Sequence, residues 1–418
     1  MTDFSRSRRA VLGTSLLSSL GFLLKPRSAW ADEVAQPVEA TPNTPVLLCV
    51  FLRGAADGLN IVVPHADANY YQLRRTIAIK QPGKNGGVID LDGRFGLHPR
   101  LAPLKAIYDA KELALIHAVG SPHNTRSHFE AQDYMETARV GDRAATSGWL
   151  GSYLSARPAK AGGGLRAVAL SGRSPLALRG YADAIATENL RNFRLSAAPE
   201  LAPVLSSGFR RLYADDAPFL AQRAGGRALA ASDIVARVLG RRRRENSAYA
   251  RDSQDFADVA KLIKANVGLE TAWLDLGGWD SHRNQGSAET GELPRNLDRL
   301  GRALAAFRAD LGPAFERVVV VVMSEFGRTA RENGTGGTDH GHGNVMLVLG
   351  GKVQGGRVLG NLPGLAPDQL HQERDLPVTT DFRDVLAELC ERHLMLPDAS
   401  SLFPGYKLER QRRLGFLA

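Results

Sequence analysis

Six apolar runs punctuate the chain: Val46–Leu52, 113–119, 166–171, 269–276, Val318–Met323 and 345–349. Their lengths and aliphatic, often β-branched make-up predict strands buried on both faces of a mainly parallel sheet. Other stretches carry helical spacing. Residues 99–110 form one, Phe256, Val259, Leu262 and Ile263 a second, and 380–393 an amphipathic C-terminal helix. Leu297, Leu300, Leu304, Phe307 and Leu311 make a single apolar stripe, read as core packing. Between 141 and 247 the pattern is looser, with Ala- and Arg-rich helix over 190–239, and this part is expected to be a helical insertion or cap. The fold class is α/β.

Polar residues concentrate where the apolar runs stop. In open α/β sheets, ligands bind beyond the carboxyl ends of the strands, so these turns are where a site is expected. The first run leads into Asp57-Gly58, and the second opens into a polar segment from Gly120 to Glu130. There Ser127 and Glu130 have the spacing of a capping box at a helix start, with Thr125 as a rival hydroxyl. A hydroxyl at a helix N-terminus is also placed for nucleophilic attack on a bound phosphate or sulfate. The fourth run ends in Asp280-Ser281-His282 and the fifth in Ser324-Glu325-Phe326-Gly327. After a glycine-rich turn, Asp339, His340 and His342 fall within four residues. Imidazoles with carboxylates suit a divalent cation, which makes Asp57, Asp280, His282, Glu325, Asp339, His340 and His342 candidate ligands. Arg126 and Arg328 are candidate clamps for an anionic group.

The N-terminus predicts export rather than fold. Ser7-Arg8-Arg9-Ala10-Val11-Leu12 has twin-arginine character, an apolar segment runs from Leu16 to Leu24, and Ala29-Trp30-Ala31 is a small-residue cleavage site. The apolar segment is too short for a membrane span. Export by the twin-arginine machinery with cleavage after Ala31 would leave a single domain over 32–418, periplasmic or secreted, with no stable membrane anchor. The formal charge is +9, of which a net +4 lies in the leader. The remaining surplus is thinly spread, and its one dense run, Arg241 to Arg244, lacks interleaved aromatics, so no nucleic-acid partner is expected. Cys49 and Cys390 stand in apolar segments and read as core residues.

The pieces FLRGAADGLNIVVP, NTRSHFEAQDYMETA, LDLGGWDSH, VMSEFGRTARENGTGGTDHG and LPVTTDFRDVL resemble the bacterial domain-of-unknown-function 1501 family. That family is similar to the alkaline phosphatase and sulfatase superfamily. The resemblance implies a three-layer α/β/α sandwich, alkaline-phosphatase-like, with one or two metal ions at the strand ends. By it Asp57 would be a metal aspartate, Thr125 or Ser127 the nucleophile, and Asp280 with His282 an Asp–His ligand pair. Glu325 would stand for a ligand aspartate, Phe326 for a ligand histidine, and His340 or His342 for the last histidine. Phe326 cannot bind a metal.

The function this implies is metal-dependent hydrolysis of a phosphate or sulfate ester, by a hydroxyl nucleophile and metal-activated water. The substrate would be a small-molecule or glycan anionic ester. The ion is expected to be Zn²⁺, with Mn²⁺ or Ca²⁺ as alternatives. The competing expectation is a non-catalytic periplasmic metal-binding or scaffolding protein on the same fold.

Overall fold

Seven apolar residues in succession, Val46–Leu52, form strand β1, and every one of them is buried. Side chains alternate across a strand. Leu47, Cys49 and Phe51 therefore enter one core and Val46, Leu48, Val50 and Leu52 another, on the opposite face. The computed structural model describes residues 44–157, 164–193, 198, 200–213, 220–240 and 248–418. All belong to one unit, Ala40–Ala418. The expected leader and Arg241–Arg244 lie outside the described residues.

In chain order the strands of the main sheet are β1, β2 (Leu113–Gly120), β3 (Ala167–Leu170), β4 (Ile185–Thr187) and β5 (Thr271–Leu276). They continue with β6 (Val318–Met323), β7 (Asn344–Gly350), β8 (Arg357–Leu359) and β9 (Thr380–Asp381). Their order across the sheet is β8-β2-β7-β6-β1-β5-β3-β4, with β9 paired to β2. Strand β7 alone runs antiparallel to its neighbours β2 and β6. The remaining pairings are parallel.

Helices of seven residues or more are α1 (His128–Thr137), α2 (Trp149–Ala156), α3 (Ala202–Leu212), α4 (Leu220–Leu239), α5 (Gln254–Lys264), α6 (Glu292–Leu311) and α7 (Phe382–Glu388). Met135 of α1, Trp149 of α2 and Phe382 of α7 fill the core with Cys49. Val235 of α4, Phe256 of α5 and Leu297 of α6 fill the other. Helices therefore cover both faces, and the architecture is the three-layer α/β/α sandwich with a mainly parallel sheet. Each fully buried aliphatic side chain contributes about 1.5–3 kcal/mol, so the valines of β6 alone supply a large share of the stability. Cys49 and Cys390 are free and buried in one core.

Several local expectations change. Residues 99–110 begin as a 3₁₀ helix over Pro99–Leu104, because Pro103 cannot donate an α-helical hydrogen bond, and turn α only at Lys105–Asp109. Residues 380–393 open as strand β9, then α7, then a π-helical turn at Leu389–His393. Within 141–247, β3, β4 and α2 belong to the sandwich itself. Residues 190–239 hold a 3₁₀ turn at Leu190–Asn192, then α3 and α4. No helix among the described residues is long and apolar enough to cross a membrane.

The topology decides where chemistry gathers. Because β1, β2, β5 and β6 run the same way, their carboxyl ends share one edge of the sheet. The reversed β7 starts at that same edge, with Asn344 opposite Val119. Residues leading into β7 are thus brought against residues leaving the other four.

Candidate metal centre

The turn after β1 brings the strand ends together. Gly54 has φ +117°, and a Cβ there would lie 2.6 Å from the backbone nitrogen of Asp280, so only glycine permits the approach. Gly341 is held as closely, since its Cβ would lie 2.4 Å from the carbonyl carbon of Arg328. These contacts seat Asp280, beyond β5, beside His340, which precedes β7. His128, the first residue of α1, completes the approach from beyond β2.

Three imidazoles converge through their Nε2 atoms. His340 Nε2 lies 3.0 Å from His128 Nε2 and 2.9 Å from His282 Nε2. Asp280 joins them: Oδ1 is 3.0 Å from His282 Nε2 and 3.3 Å from His340 Nε2, and Oδ2 is 3.5 Å from His128 Nε2. Ligand atoms on tetrahedral zinc arms of 2.0–2.1 Å stand about 3.3 Å apart. Among His128, Asp280 and His340 the separations bracket that edge, so these three residues fit a zinc-sized ion. His128, Asp280 and His340 also form a group in which one ligand atom from each lies within 4.8 Å of the others.

Each imidazole has its other nitrogen on a hydrogen-bond acceptor. His128 Nδ1 lies 2.8 Å from Glu325 Oε1, His282 Nδ1 3.1 Å from Asp339 Oδ1, and His340 Nδ1 2.8 Å from the carbonyl of Arg126. A carboxylate or a carbonyl has no hydrogen to give, so each Nδ1–H is the group that donates there. With an ion bound, the Nε2 lone pairs would be free to face it. Glu325 is itself fixed, because its Oε1 also accepts from the Gly54 N–H and the Gln132 side-chain amide, at 2.8 and 2.9 Å.

Electrostatics follow from these contacts. The hydrogen bond to Glu325 raises the His128 pKa above that of an ordinary imidazole. Burial pushes the Glu325 carboxyl up, but His128, Gln132 and backbone N–H groups hold it below its usual value. Burial lowers His340. Burial pushes Asp280 up, but the Arg328 guanidinium with His282 and His128 brings it below the usual carboxylate value.

The sequence candidates separate into groups. Asp280, His282 and His340 meet at the cluster, whereas Glu325 and Asp339 stand behind its imidazoles. Asp57 does not reach them: it is 1% exposed, and Arg74 spans its two oxygens at 2.9 and 2.6 Å while Gln285 donates at 2.6 Å. His342 is also elsewhere, with its ring stacked on His371 at 4.5 Å and burial pushing its pKa down to about 4. Arg328 is buried, donating 2.5 Å to Asp280 and further to the carbonyls of Gly54, Ala55, Trp279 and Thr338. Its guanidinium ties the strand ends together. Arg126 pairs with Asp375 at 2.7 Å and Gln372 at 2.8 Å. Phe326 is buried against the cluster, its ring 5.1 Å from that of His128 and 5.2 Å from that of His340.

The expected capping box does not form. Ser127 is the N-cap of α1, but its side chain makes no cap bond. Glu130 takes the Thr125 hydroxyl at 2.5 Å instead, together with Arg143 and Tyr134, and Thr125 Oγ1 accepts from the Ser127 N–H at 3.2 Å. The longer local loop is favoured because Thr125, unlike Ser127, lies within reach of a carboxylate already anchored by two other donors. Sequence reasoning did not pick out His128 as a candidate. The available signal was an imidazole one residue past an N-cap at a strand end, and the capping pattern absorbed it.

The fold is an α/β/α sandwich with an imidazole and carboxylate cluster at its carboxyl edge, a donor set suited to a divalent cation. Residues 110–402 match the family described as "Protein of unknown function (DUF1501)", and the chain belongs to that family. No curated protein matches it. Among solved structures, the chain is similar to a phosphonate monoester hydrolase from Silicibacter pomeroyi, at 10% identity and a TM-score of 0.38, over 83% of this chain and 72% of that one. It is also similar to Ps i-CgsB, in complex with k-i-k-neocarrahexaose, at 11% identity and a TM-score of 0.35, over 90% and 75%. A 2-O GAG sulfatase matches at 11% identity and a TM-score of 0.29, over 76% and 66%.

Proposed function

We propose that this protein is an exported, metal-dependent hydrolase of phosphate or sulfate esters, carried to the periplasm or beyond by the twin-arginine route. The observation that carries the reading is the grouping of His128, Asp280 and His340 at the carboxyl edge of the sheet, with His282 Nε2 beside His340 and Asp280. His128, His282, His340 and Asp280 would hold the ion. Three imidazoles with one carboxylate favour Zn²⁺ over Ca²⁺, which takes six to eight oxygen ligands. When bound, the ion would offset the ester's negative charge and acidify the hydroxyl and water that react.

The chain's own groups divide the remaining work. Of the two hydroxyls in the turn before α1, Thr125 gives its hydrogen to Glu130, while Ser127 is exposed and adjoins His128. Ser127 is therefore the nucleophile in this reading. Its Oγ gives up its hydrogen and attacks phosphorus or sulfur, the P–O or S–O bond to the alcohol breaks, and the alcohol leaves with a proton. Water then cleaves the Oγ–P or Oγ–S bond, restoring the serine hydroxyl and releasing phosphate or sulfate. Arg328 supports Asp280 rather than the substrate.

The test is turnover by the zinc-reconstituted mature chain on an aryl phosphate, an aryl phosphate diester and an aryl sulfate. Zinc-dependent release of the phenol from at least one of them is expected. A protein that binds zinc yet leaves all three at the uncatalysed rate would overturn the hydrolase reading in favour of a non-catalytic metal-binding or scaffolding role.

A further inference from the structure

The ester-hydrolase reading leaves open whether one or two ions sit at the sheet edge, and residues outside the imidazole cluster bear on that number. Asp57 leaves the strand end of β1, in the turn where a second cation could be held by a carboxylate. Arg74 stands against it instead. Nη1 donates to Asp57 Oδ2 at 2.6 Å and to Asn60 Oδ1 at 2.7 Å; Nη2 donates to Asp57 Oδ1 and to the Thr329 carbonyl, both at 2.9 Å; Nε donates to the Ala330 carbonyl at 2.9 Å. A guanidinium has five N–H donors, and all five are used. Both Arg74 and Asp57 are buried, at 0% and 1% exposure, and the Gln285 amide takes a further position on Asp57 Oδ2.

A charge buried this deeply is retained only when paired and hydrogen-bonded. Displacing Arg74 with a cation would strand the guanidinium away from water and leave five donors to be satisfied again, and breaking a buried pair in this way is strongly destabilising. On the other flank of the cluster, Phe326 presents a ring without a donor atom. Glu325, which could otherwise reach a second ion, has Oε1 committed to three donors.

We infer that this edge holds one ion only, on the Nε2 atoms of His128, His282 and His340 and on Asp280, and that the Arg74 guanidinium permanently takes the place of a second cation at Asp57. The inference rests on the metal-binding part of the proposed function and is independent of turnover. Asp57 thus serves as an internal counter-ion, and Glu325 and Asp339 are positioning residues that act through His128 and His282.

The experiment counts ions on the intact mature chain, without substrate. Native mass spectrometry after loading with excess Zn²⁺ is expected to show one specifically retained ion per chain, and two would overturn the inference. In parallel, the Co²⁺-substituted protein is expected to give the visible absorption of a four-coordinate, nitrogen-rich site. That spectrum should persist in Asp57→Asn and disappear in His282→Ala. Loss of the spectrum in a folded Asp57→Asn protein would overturn the inference as well. Should Asp57→Asn not fold, the ion count and cobalt spectrum of the unaltered chain still decide the matter. One ion without ester turnover would sink the hydrolase reading alone, and two ions with turnover would sink this inference alone.

Discussion

At the scale of single residues, the chain uses the same side-chain types for opposite purposes, and burial separates them. Asp57 and Asp280 both follow a strand and both meet an arginine. Arg74 occupies both oxygens of Asp57, whereas Arg328 reaches only Oδ1 of Asp280 and leaves Oδ2 toward His128. Ser127 and Thr125 separate in the same way. Ser127→Ala is expected to shift unfolding free energy by less than about 0.5 kcal/mol, as for a surface position, because the side chain caps nothing. Thr125→Ala should cost about 1 kcal/mol through its lost bonds to Glu130 and the Ser127 N–H. Ester turnover should vanish in Ser127→Ala and survive in Thr125→Ala. Denaturant melts and initial rates on the two variants check both halves, and turnover retained by Ser127→Ala would assign the attack to water.

At the scale of elements, the apolar runs were legible because a doubly buried strand leaves a continuous aliphatic signature. β1 and β6 occupy the predicted residues, and β2 and β5 differ only at their ends. The direction of β7 was not legible, since Val-Met-Leu-Val-Leu is equally apolar read either way. Nor could local spacing show that Arg74, and not its neighbour Arg75, is the buried partner of Asp57. That choice depends on residues 255 and 256 positions further on, whose carbonyls accept from its guanidinium. Asp280, His282 and His340 could be picked out because acid and imidazole recur at strand ends. The split between ligands and the carboxylates behind them could not, because it depends on which nitrogen of each ring faces inward.

At the scale of the whole molecule, three histidines remote from the cluster are buried in neutral form. His98, His117 and His393 each have Nε2 on a backbone carbonyl, of Ser287, Val62 and Val46, and burial pushes each pKa down to about 4. An unfolded imidazole titrates near 6.5. Above that value neither state is protonated and stability is unaffected. As pH falls from about 6.5 toward 4, the unfolded chain takes up protons that the folded chain refuses, and stability is lost. His128, raised by Glu325, works in the opposite sense, and one imidazole does not offset three. The His128 contribution is present below about 6.5 and is lost as pH rises through its raised folded value. Thermal melts of the metal-free chain should therefore fall progressively between pH 6.5 and 4. A melting temperature constant across that acid range would contradict the assignment of these histidines as neutral core groups.

The account as a whole depends on the three converging imidazoles being a metal centre and not a structural polar cluster. The most direct measurement is calorimetric titration of Zn²⁺ into the demetallated mature chain, its His128→Ala variant and its His342→Ala variant. His342 is the internal control, an equally suggestive histidine two residues from His340, which the structure places on His371 instead. Zinc should bind the unaltered chain and His342→Ala alike, and His128→Ala at least tenfold more weakly, as expected for loss of one of four ligands. Equal affinity in all three proteins, or none in any, would contradict the metal centre described here.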